Sequence, residues 1–214
     1  MNTIENFLID TDSYKASHYL QYPKNTTSMF SYIESRGGEY NSTVFFGLQY
    51  YLKKYLTHRV TVEEVEEAKE FFAGHGEPFN YEGWMYIAKD LKGKLPVRIR
   101  AVPEGSVVPT HNILVSVEST DPKVFWIVSW IETMLLRVWY PITVATRSRF
   151  IKKIILEALR VSADDPEGEI NFKLHDFSAR GISSQETGMI GGAAHLVNFM
   201  GSDTIVGVRC ANEY

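Results

Sequence analysis

The chain has 214 residues, 44% of them hydrophobic, which is enough to form the core of one large domain or of two small ones. Its formal net charge is −4 and its lysines and arginines are scattered, so it lacks the basic stripe with which nucleic-acid-binding proteins neutralise phosphates. A single cysteine, Cys210, excludes an internal disulfide and a cysteine-based zinc cluster, and it fits a reducing compartment.

The first elements along the chain are a strand, a polar turn and a second strand. Residues 6–10 predict a short strand that runs into the turn, where Asp12 suits a helix N-cap and Tyr14 a half-packed surface position. Residues 30–35 alternate apolar and polar side chains, as a strand does, and lead to Arg36 beside two glycines. An arginine there can bind an anion together with backbone N–H groups, although a solvated turn arginine is the simpler interpretation.

Helical and extended segments follow without internal repeats. Residues 45–56 have the apolar spacing of a helix, and the pair Thr61 and Glu64 predicts a second helix that begins with a capping box. Residues 96–118 are rich in strand-forming side chains separated by a Pro-Glu-Gly turn, which predicts antiparallel strands.

A long apolar stretch comes next, but it does not have the pattern of a membrane helix. Residues 124–140 are interrupted by Glu132 and Arg137 before they reach the ~18–20 apolar residues that cross a bilayer. They predict a buried helix, followed by an amphipathic helix over residues 142–161. Residues 1–15 lack the apolar core of a signal peptide, so we expect a cytoplasmic protein without a membrane partner.

The acidic segment 162–168 contains a proline and is the best candidate for a domain boundary. It divides the chain into an N-terminal α+β domain, residues 1–165, and a second part, residues 166–214. The second part has the pattern of the first βαβ piece of a parallel structure, so the predicted fold class is α/β.

This βαβ pattern has three components. Alternation over residues 170–174 predicts a strand with one buried face. The spacing of Ser183 and Glu186 is that of a capping box and predicts a helix over about 184–199. Residues 203–208 then predict the next strand.

Chemistry-bearing residues cluster around this unit. In parallel α/β folds, ligands bind beyond the carboxyl ends of the strands, which is where His175, Asp176, Phe177 and Arg180 are expected. Asp203, at the start of the next strand, is less well placed by pattern alone. A purely structural interpretation places His175 and Asp176 in a turn and Phe177 in the core. In that interpretation Arg180 pairs with a carboxylate on the surface. The cluster favours a site.

Five long segments carry a further signal. They are TDSYKASHYLQYP, FFGLQYYL, AVPEGSVVP, SWIETMLLRVWYPITVATRSR and KLHDFSARGISSQETGMIGGAAHLVNFMGSDT. Together they resemble the nicotinamide phosphoribosyltransferase family over almost the whole chain. Members of this family are pentosyltransferases that join nicotinamide to 5-phosphoribosyl 1-pyrophosphate, which yields nicotinamide mononucleotide and pyrophosphate in NAD salvage. The resemblance implies an α/β barrel behind a mixed N-terminal domain, a head-to-tail homodimer, and magnesium bound with 5-phosphoribosyl 1-pyrophosphate.

The resemblance also implies roles for individual residues. Phe177 is expected to form one wall of the nicotinamide slot, and Tyr14 of the other subunit the opposite wall. Arg180, a catalytic candidate, is expected to bind the amide oxygen or a nearby phosphate, and Asp203 to accept a hydrogen bond from the carboxamide NH2. The remaining candidates are a catalytic His175 and the substrate-binding Asp12, Asp176 and Arg36, the last on the phosphate side across the dimer. No metal ligand is expected in this chain.

The resemblance is to one half of a longer protein. The family continues beyond the position of Tyr214 with segments that hold ribose, phosphates and magnesium, so the chain is expected to carry the base-binding half. We therefore consider three functions. The chain is half of a nicotinamide phosphoribosyltransferase completed by further polypeptide, a non-catalytic or regulatory module that pairs with a full-length homologue, or a nicotinate phosphoribosyltransferase. Asp203 argues against the third, because its carboxylate repels that of nicotinate.

Overall fold

The computed structural model describes residues 6–214, which form two compact units built from interleaved segments. The first unit contains residues 6–33, 51–101 and 115–137, and the second contains residues 34–50, 102–114 and 138–214. The predicted boundary between residues 165 and 166 lies within the second unit, and as a domain division it stays a prediction.

Helices and strands occur in both units, in agreement with the predicted α/β class. The helices are α1 (Leu48–Tyr51), α2 (Val62–His75), α3 (Tyr81–Lys89), α4 (Ile127–Trp130), α5 (Glu132–Leu136), α6 (Trp139–Ser162), α7 (Pro166–Glu169), α8 (Gln185–Leu196) and α9 (Ile205–Glu213). The strands are β1 (Phe30–Glu34), β2 (Ser42–Val44), β3 (Val97–Ala101), β4 (Val107–Pro109), β5 (Ile113–Ser119), β6 (His175–Asp176) and β7 (Gly201–Ser202). Short 3-10 segments cover Phe7–Ile9, Ser13–Leu20, Ile170–Phe172 and Ser178–Arg180, and a π-helical turn covers Leu52–Leu56.

The first unit combines a small sheet with an aromatic core. The sheet has the order β1-β5-β3, and β3 runs antiparallel to β5 with Ile99 opposite Val117, as predicted. Three buried tryptophans, Trp84, Trp126 and Trp130, pack edge to face with ring centroids 5.2, 5.3 and 6.0 Å apart. Rings of this size bury a large apolar area, so they dominate the packing of this unit.

Helix α2 begins at the predicted capping box. Thr61 Oγ1 accepts a hydrogen bond from the Glu64 N–H at 3.2 Å, and the Glu64 carboxylate accepts one from the Thr61 N–H at 2.8 Å. The helix ends at Gly76, whose φ of +80° is left-handed, as is common for a glycine after a helix C-terminus. Local chemistry therefore specifies both ends of this element.

In the second unit, the antiparallel pair of β2 and β4 packs against α6 through β2. The Val44 N–H donates to Thr146 Oγ1 at 2.9 Å, and Val44, Ala145 and Ala194 form a buried cluster. Helix α6 contains the whole predicted amphipathic segment 142–161, so this prediction is confirmed.

The predicted βαβ unit is present, with very short strands. Strands β6 and β7 pair in parallel with His175 opposite Gly201, and α8 lies between them in sequence. Helix α9 then packs tightly on α8, because a Cβ built on Gly207 would lie only 2.6 Å from the Gly192 Cα. Two glycines thus allow the helix backbones to touch.

Both predicted strands of this unit are misplaced. Residues 170–174 begin as a 3-10 turn that continues from α7 and buries Ile170. Residues 203–208 fall mostly in helix α9. Their β-branched side chains favour a strand locally, but the helix brings Gly207 against α8, and this tertiary contact overrides propensity.

Smaller corrections concern element ends. The predicted strand at 6–10 is a 3-10 turn, because Asn6 Oδ1 accepts from the Leu8 N–H at 2.9 Å and closes the backbone locally. The capping residue of α8 is Ser184, whose Oγ accepts from the Thr187 N–H at 3.2 Å, so the box predicted one residue earlier is wrong.

The predicted buried helix over residues 124–140 is interrupted rather than continuous. It consists of the short helices α4 and α5 and the start of α6, and Trp130, Ile131 and Met134 within it are buried. Within residues 6–214, no helix has the length and apolar character needed to span a membrane.

Candidate functional site

The carboxyl ends of β6 and β7 bring five predicted site residues together. His175 and Asp176 form β6, Phe177 and Arg180 follow it, and Asp203 follows β7. A backbone hydrogen bond from the Asp203 N–H to the Asp176 carbonyl, 2.8 Å long, joins the two strand ends. Since ligands of parallel α/β structures bind beyond this edge, these residues form the candidate site.

Asp176 holds the backbone on which the site is built. Its Oδ1 accepts from the Ser178 N–H at 2.9 Å, and its carbonyl accepts from the Thr204 hydroxyl at 3.3 Å. Its Oδ2 is buried and has no hydrogen-bond partner within residues 6–214. These contacts support a positioning role for Asp176, whereas its predicted contact with substrate stays a prediction.

The site presents an aromatic ring beside a carboxylate. Phe177 is 64% exposed, and the centroid of its ring lies 6.2 Å from that of His175 at an interplanar angle of 26°. His175 Nδ1 lies 3.2 Å from Asp203 Oδ2, and both side chains are exposed. A flat apolar face next to a hydrogen-bond acceptor suits a flat ligand that carries an N–H donor.

Two exposed arginines of the second unit can bind an anion. Arg180 ends the 3-10 segment after Phe177, and Arg36 follows β1 beside Gly37 and Gly38, whose φ angles are +93° and +151°. Neither guanidinium group makes a hydrogen bond or an ion pair within the described part of the chain. Free guanidinium groups of this kind bind phosphates through charge-assisted, often bidentate hydrogen bonds.

Asp12 and Tyr14 belong to the first unit. Tyr14 lies in the 3-10 segment that replaces the predicted turn, and Asp12 is the capping residue immediately before this segment. The Asp12 carboxylate accepts from the Thr133 hydroxyl, and the buried Lys15 Nζ lies 2.9 Å from Glu132, so the segment is tied to α5. The Tyr14 ring is 58% exposed. Desolvation and the nearby Asp12 and Glu132 carboxylates raise the pKa of Tyr14, which keeps its hydroxyl protonated at neutral pH.

The sequence pattern does not single out one supporting residue, His195, because it lies on the apolar helix α8. It is buried, with Nδ1 3.1 Å from Ser148 Oγ and Nε2 3.1 Å from the Gly201 carbonyl. It therefore links α6 to β7, the strand that precedes Asp203. The signal in the sequence is a lone polar side chain in an apolar helix. Such a side chain is buried and therefore needs hydrogen-bond partners from other elements.

A second supporting residue, Tyr140, packs against the glycines of α8. A Cβ added at Gly191 would lie 2.5 Å from the Tyr140 hydroxyl oxygen. Burial and the Asp176 carboxylate raise the pKa of Tyr140. The glycine-rich helix predicted a close neighbour, but only the structure identifies it.

Relatives of the chain carry a consistent name. The chain is 56% identical over its whole length to nicotinamide phosphoribosyltransferase of Xanthomonas campestris pv. campestris, of which it covers 46%. It is 30% identical over 97% of its length to the protein of that name from Mycoplasma pneumoniae, of which it covers 51%. The relative from Acinetobacter baylyi is 29% identical over 95% of the chain, and 43% of that protein is covered. The chain spans about half the length of the curated relatives that it matches.

Family and structure comparisons agree with these relatives. Residues 6–99 match the family described as nicotinamide phosphoribosyltransferase, N-terminal domain, and residues 172–213 match the nicotinate phosphoribosyltransferase family. A crystal structure of human nicotinic acid phosphoribosyltransferase superposes with a TM-score of 0.62 over 92% of this chain and 36% of that one. At 19% identity, this likeness concerns the fold alone. Over its whole length, the chain is thus similar to the N-terminal half of nicotinamide phosphoribosyltransferases.

Proposed function

We propose that the chain supplies the base-binding half of an enzyme that converts nicotinamide and 5-phosphoribosyl 1-pyrophosphate to nicotinamide mononucleotide and pyrophosphate. The observation that carries the proposal is the juxtaposition of Phe177, His175 and Asp203 at the carboxyl ends of two parallel strands. Arg180 lies on the 3-10 segment that follows Phe177. The names of the relatives support the amide over the acid as substrate.

The chemistry of the site fits this reaction. A pyridine ring stacks on an exposed phenyl ring such as that of Phe177, at roughly 0.5–1.5 kcal/mol beyond burial. The Asp203 carboxylate can accept from the carboxamide NH2, whereas the carboxylate of nicotinate would place two like charges together. Arg180 can neutralise a phosphate or bind the amide oxygen.

In the proposed step, the pyridine nitrogen forms a bond to C1 of the ribose while the bond from C1 to pyrophosphate breaks. The electron pair of that bond leaves with pyrophosphate. The chain contributes by holding the base in line with C1, and its arginines offset part of the negative charge that develops on the leaving group.

Magnesium enters this proposal only with the pyrophosphate substrate. Within residues 6–214, no group of three or more His, Cys, Asp or Glu side chains could hold a metal ion. We assign the ion to the phosphates of 5-phosphoribosyl 1-pyrophosphate, because enzymes usually bind magnesium through substrate phosphates and only one or two carboxylates.

The proposal extends to a cytoplasmic homodimer with shared sites. The exposed ring of Tyr14 is suited to stack on a base held by another subunit. Further polypeptide, on the same chain or a separate one, supplies the contacts for ribose and pyrophosphate that these residues leave unmade.

The test compares the chain alone with a fusion protein in which it replaces the matching N-terminal part of the Xanthomonas relative. Each is incubated with nicotinamide, 5-phosphoribosyl 1-pyrophosphate and magnesium, and nicotinamide mononucleotide is measured. We expect multiple turnovers from the fusion. We expect none from the chain alone, because losing one main electrostatic group costs about 10²–10³ in rate and here several are missing.

The C-terminal part of the relative, expressed by itself, is the control and is expected to be inactive. A folded but inactive fusion contradicts the proposal and favours the alternative of a non-catalytic module. Multiple turnovers by the chain alone would show instead that it carries more than the base-binding half of the site.

A further inference from the structure

The hydrogen bond between His175 and Asp203 contributes little to the stability of the fold, yet the surrounding backbone holds the His175 ring in place. Nδ1 and Oδ2 are 3.2 Å apart, and the two side chains are 42% and 51% exposed. Exposed polar pairs of this kind contribute little to folding, because water competes for both groups and ordering the side chains costs entropy. Stability of the fold therefore does not explain the role of this contact.

The His175 ring rests on a position where a side chain would not fit. A Cβ built on Gly201 would lie 2.5 Å from His175 Cδ2 and 2.6 Å from Nε2. Gly201 itself is held firmly, since it pairs with His175 in the parallel ladder and its carbonyl lies 3.1 Å from His195 Nε2. The glycine thus forms a fixed, flat support for the imidazole.

We propose that Gly201 and His175 together orient the Asp203 carboxylate and so determine which base the enzyme selects. His175 Nδ1–H donates to Oδ2, which leaves Oδ1 to accept from the carboxamide of the base. An exposed aspartate has two rotatable side-chain bonds, and a fixed partner on one oxygen aligns the other. His175 is in this account a positioning residue, and the inference rests on the proposed function.

The test uses the fusion protein and the ratio of kcat/KM for nicotinamide to that for nicotinate. His175→Leu removes the donor, and we expect the ratio to fall about tenfold, as for loss of one hydrogen bond to a charged group. His175→Asn places an amide N–H close to the position of Nδ1, so we expect it to keep most of the selectivity.

Gly201→Ala should act like His175→Leu, because the added methyl group displaces the ring. The matched control is Gly74→Ala in α2, where an added Cβ meets no atom within 4 Å and the ratio should not change. A general structural defect would lower activity with both bases equally, and His175→Asn would then be as defective as His175→Leu.

A second measurement does not depend on activity. In the 214-residue chain, long-range 1H–15N correlation spectra of the His175 ring should show the Nδ1–H tautomer, and Asp203→Leu should abolish this preference. An unchanged spectrum in the Asp203→Leu variant overturns the inference. An active His175→Leu fusion whose selectivity is unchanged also overturns it. A folded fusion that uses neither base overturns the inference together with the proposed function.

Discussion

At the scale of single residues, the Asp203 carboxylate is the group that should distinguish an amide from an acid. In the fusion protein, Asp203→Asn removes the negative charge and offers its own NH2, so the preference for nicotinamide over nicotinate should fall by about 10-fold or more. The ratio of kcat/KM for the two bases measures this. Asp164→Asn, at an exposed position of the same unit, is the matched control. An unchanged ratio in Asp203→Asn contradicts the assignment.

Glu104 provides a second prediction at this scale, concerning pH. Its Oε2 accepts from the Gly47 N–H at 2.7 Å and its Oε1 from the Gln49 N–H at 3.0 Å. Burial raises the pKa of Glu104 above its ordinary value, although these backbone N–H groups oppose the shift. A carboxyl group with a raised folded-state pKa binds more protons in the folded state. Its contribution to stability is complete below the unfolded pKa and is lost as pH rises through the folded pKa.

The free energy of unfolding should therefore decrease from pH 4.5, the ordinary value for this side chain, towards its raised folded-state pKa. Glu104→Gln should lack this part of the decrease, whatever its overall stability. Urea denaturation at several pH values measures both slopes, and exposed Glu70→Gln should keep the slope of the unmodified chain. Identical slopes for the unmodified chain and Glu104→Gln would show that the carboxyl group titrates normally.

At the scale of elements, the contact between α8 and α9 joins the last two helices of the second unit. Gly207→Ala would place a methyl group 2.6 Å from the Gly192 Cα, and neither backbone can move without disturbing its helix. We expect a loss of about 1–3 kcal/mol in the free energy of unfolding, as for other overpacked sites. Thermal or urea denaturation measures the loss.

Gly74→Ala is the matched control for this prediction as well. It makes the same substitution inside a helix, but in open space. Alanine is the better helix former, so this variant should gain about 0.5–1 kcal/mol. Equal effects of the two substitutions would mean that the α8 and α9 backbones are farther apart than described.

At the scale of the whole molecule, the proposed dimer makes each base-binding slot from two subunits. A Tyr14→Ala fusion protein mixed with a Phe177→Ala fusion protein should regain activity, because one slot of each mixed dimer keeps both rings. With random exchange of subunits, about a quarter of all slots are intact. Activity assays after co-refolding, with size-exclusion chromatography to verify dimers, measure the recovery. If mixed dimers form and stay as inactive as either parent, the slot is not shared.

The sequence by itself determined the local features of this protein. The capping box of Thr61 and Glu64, the helix containing residues 142–161 and the strand at residues 30–35 follow from side-chain spacing and from hydrogen bonds between near neighbours. The sequence also predicted a site at the carboxyl end of a strand, although it placed that strand at residues 170–174 and the structure has it at His175–Asp176.

Only the tertiary structure decided the rest. Residues 205–213 are helical because Gly207 of α9 packs against Gly192 of α8. This contact joins two different elements, so no local pattern reveals it. The structure likewise supplied the roles of Asp176, His195 and Tyr140, which depend on burial and on partners from other elements. Periodicity identifies which side chain faces a core, whereas the partner that it meets there depends on how the elements pack.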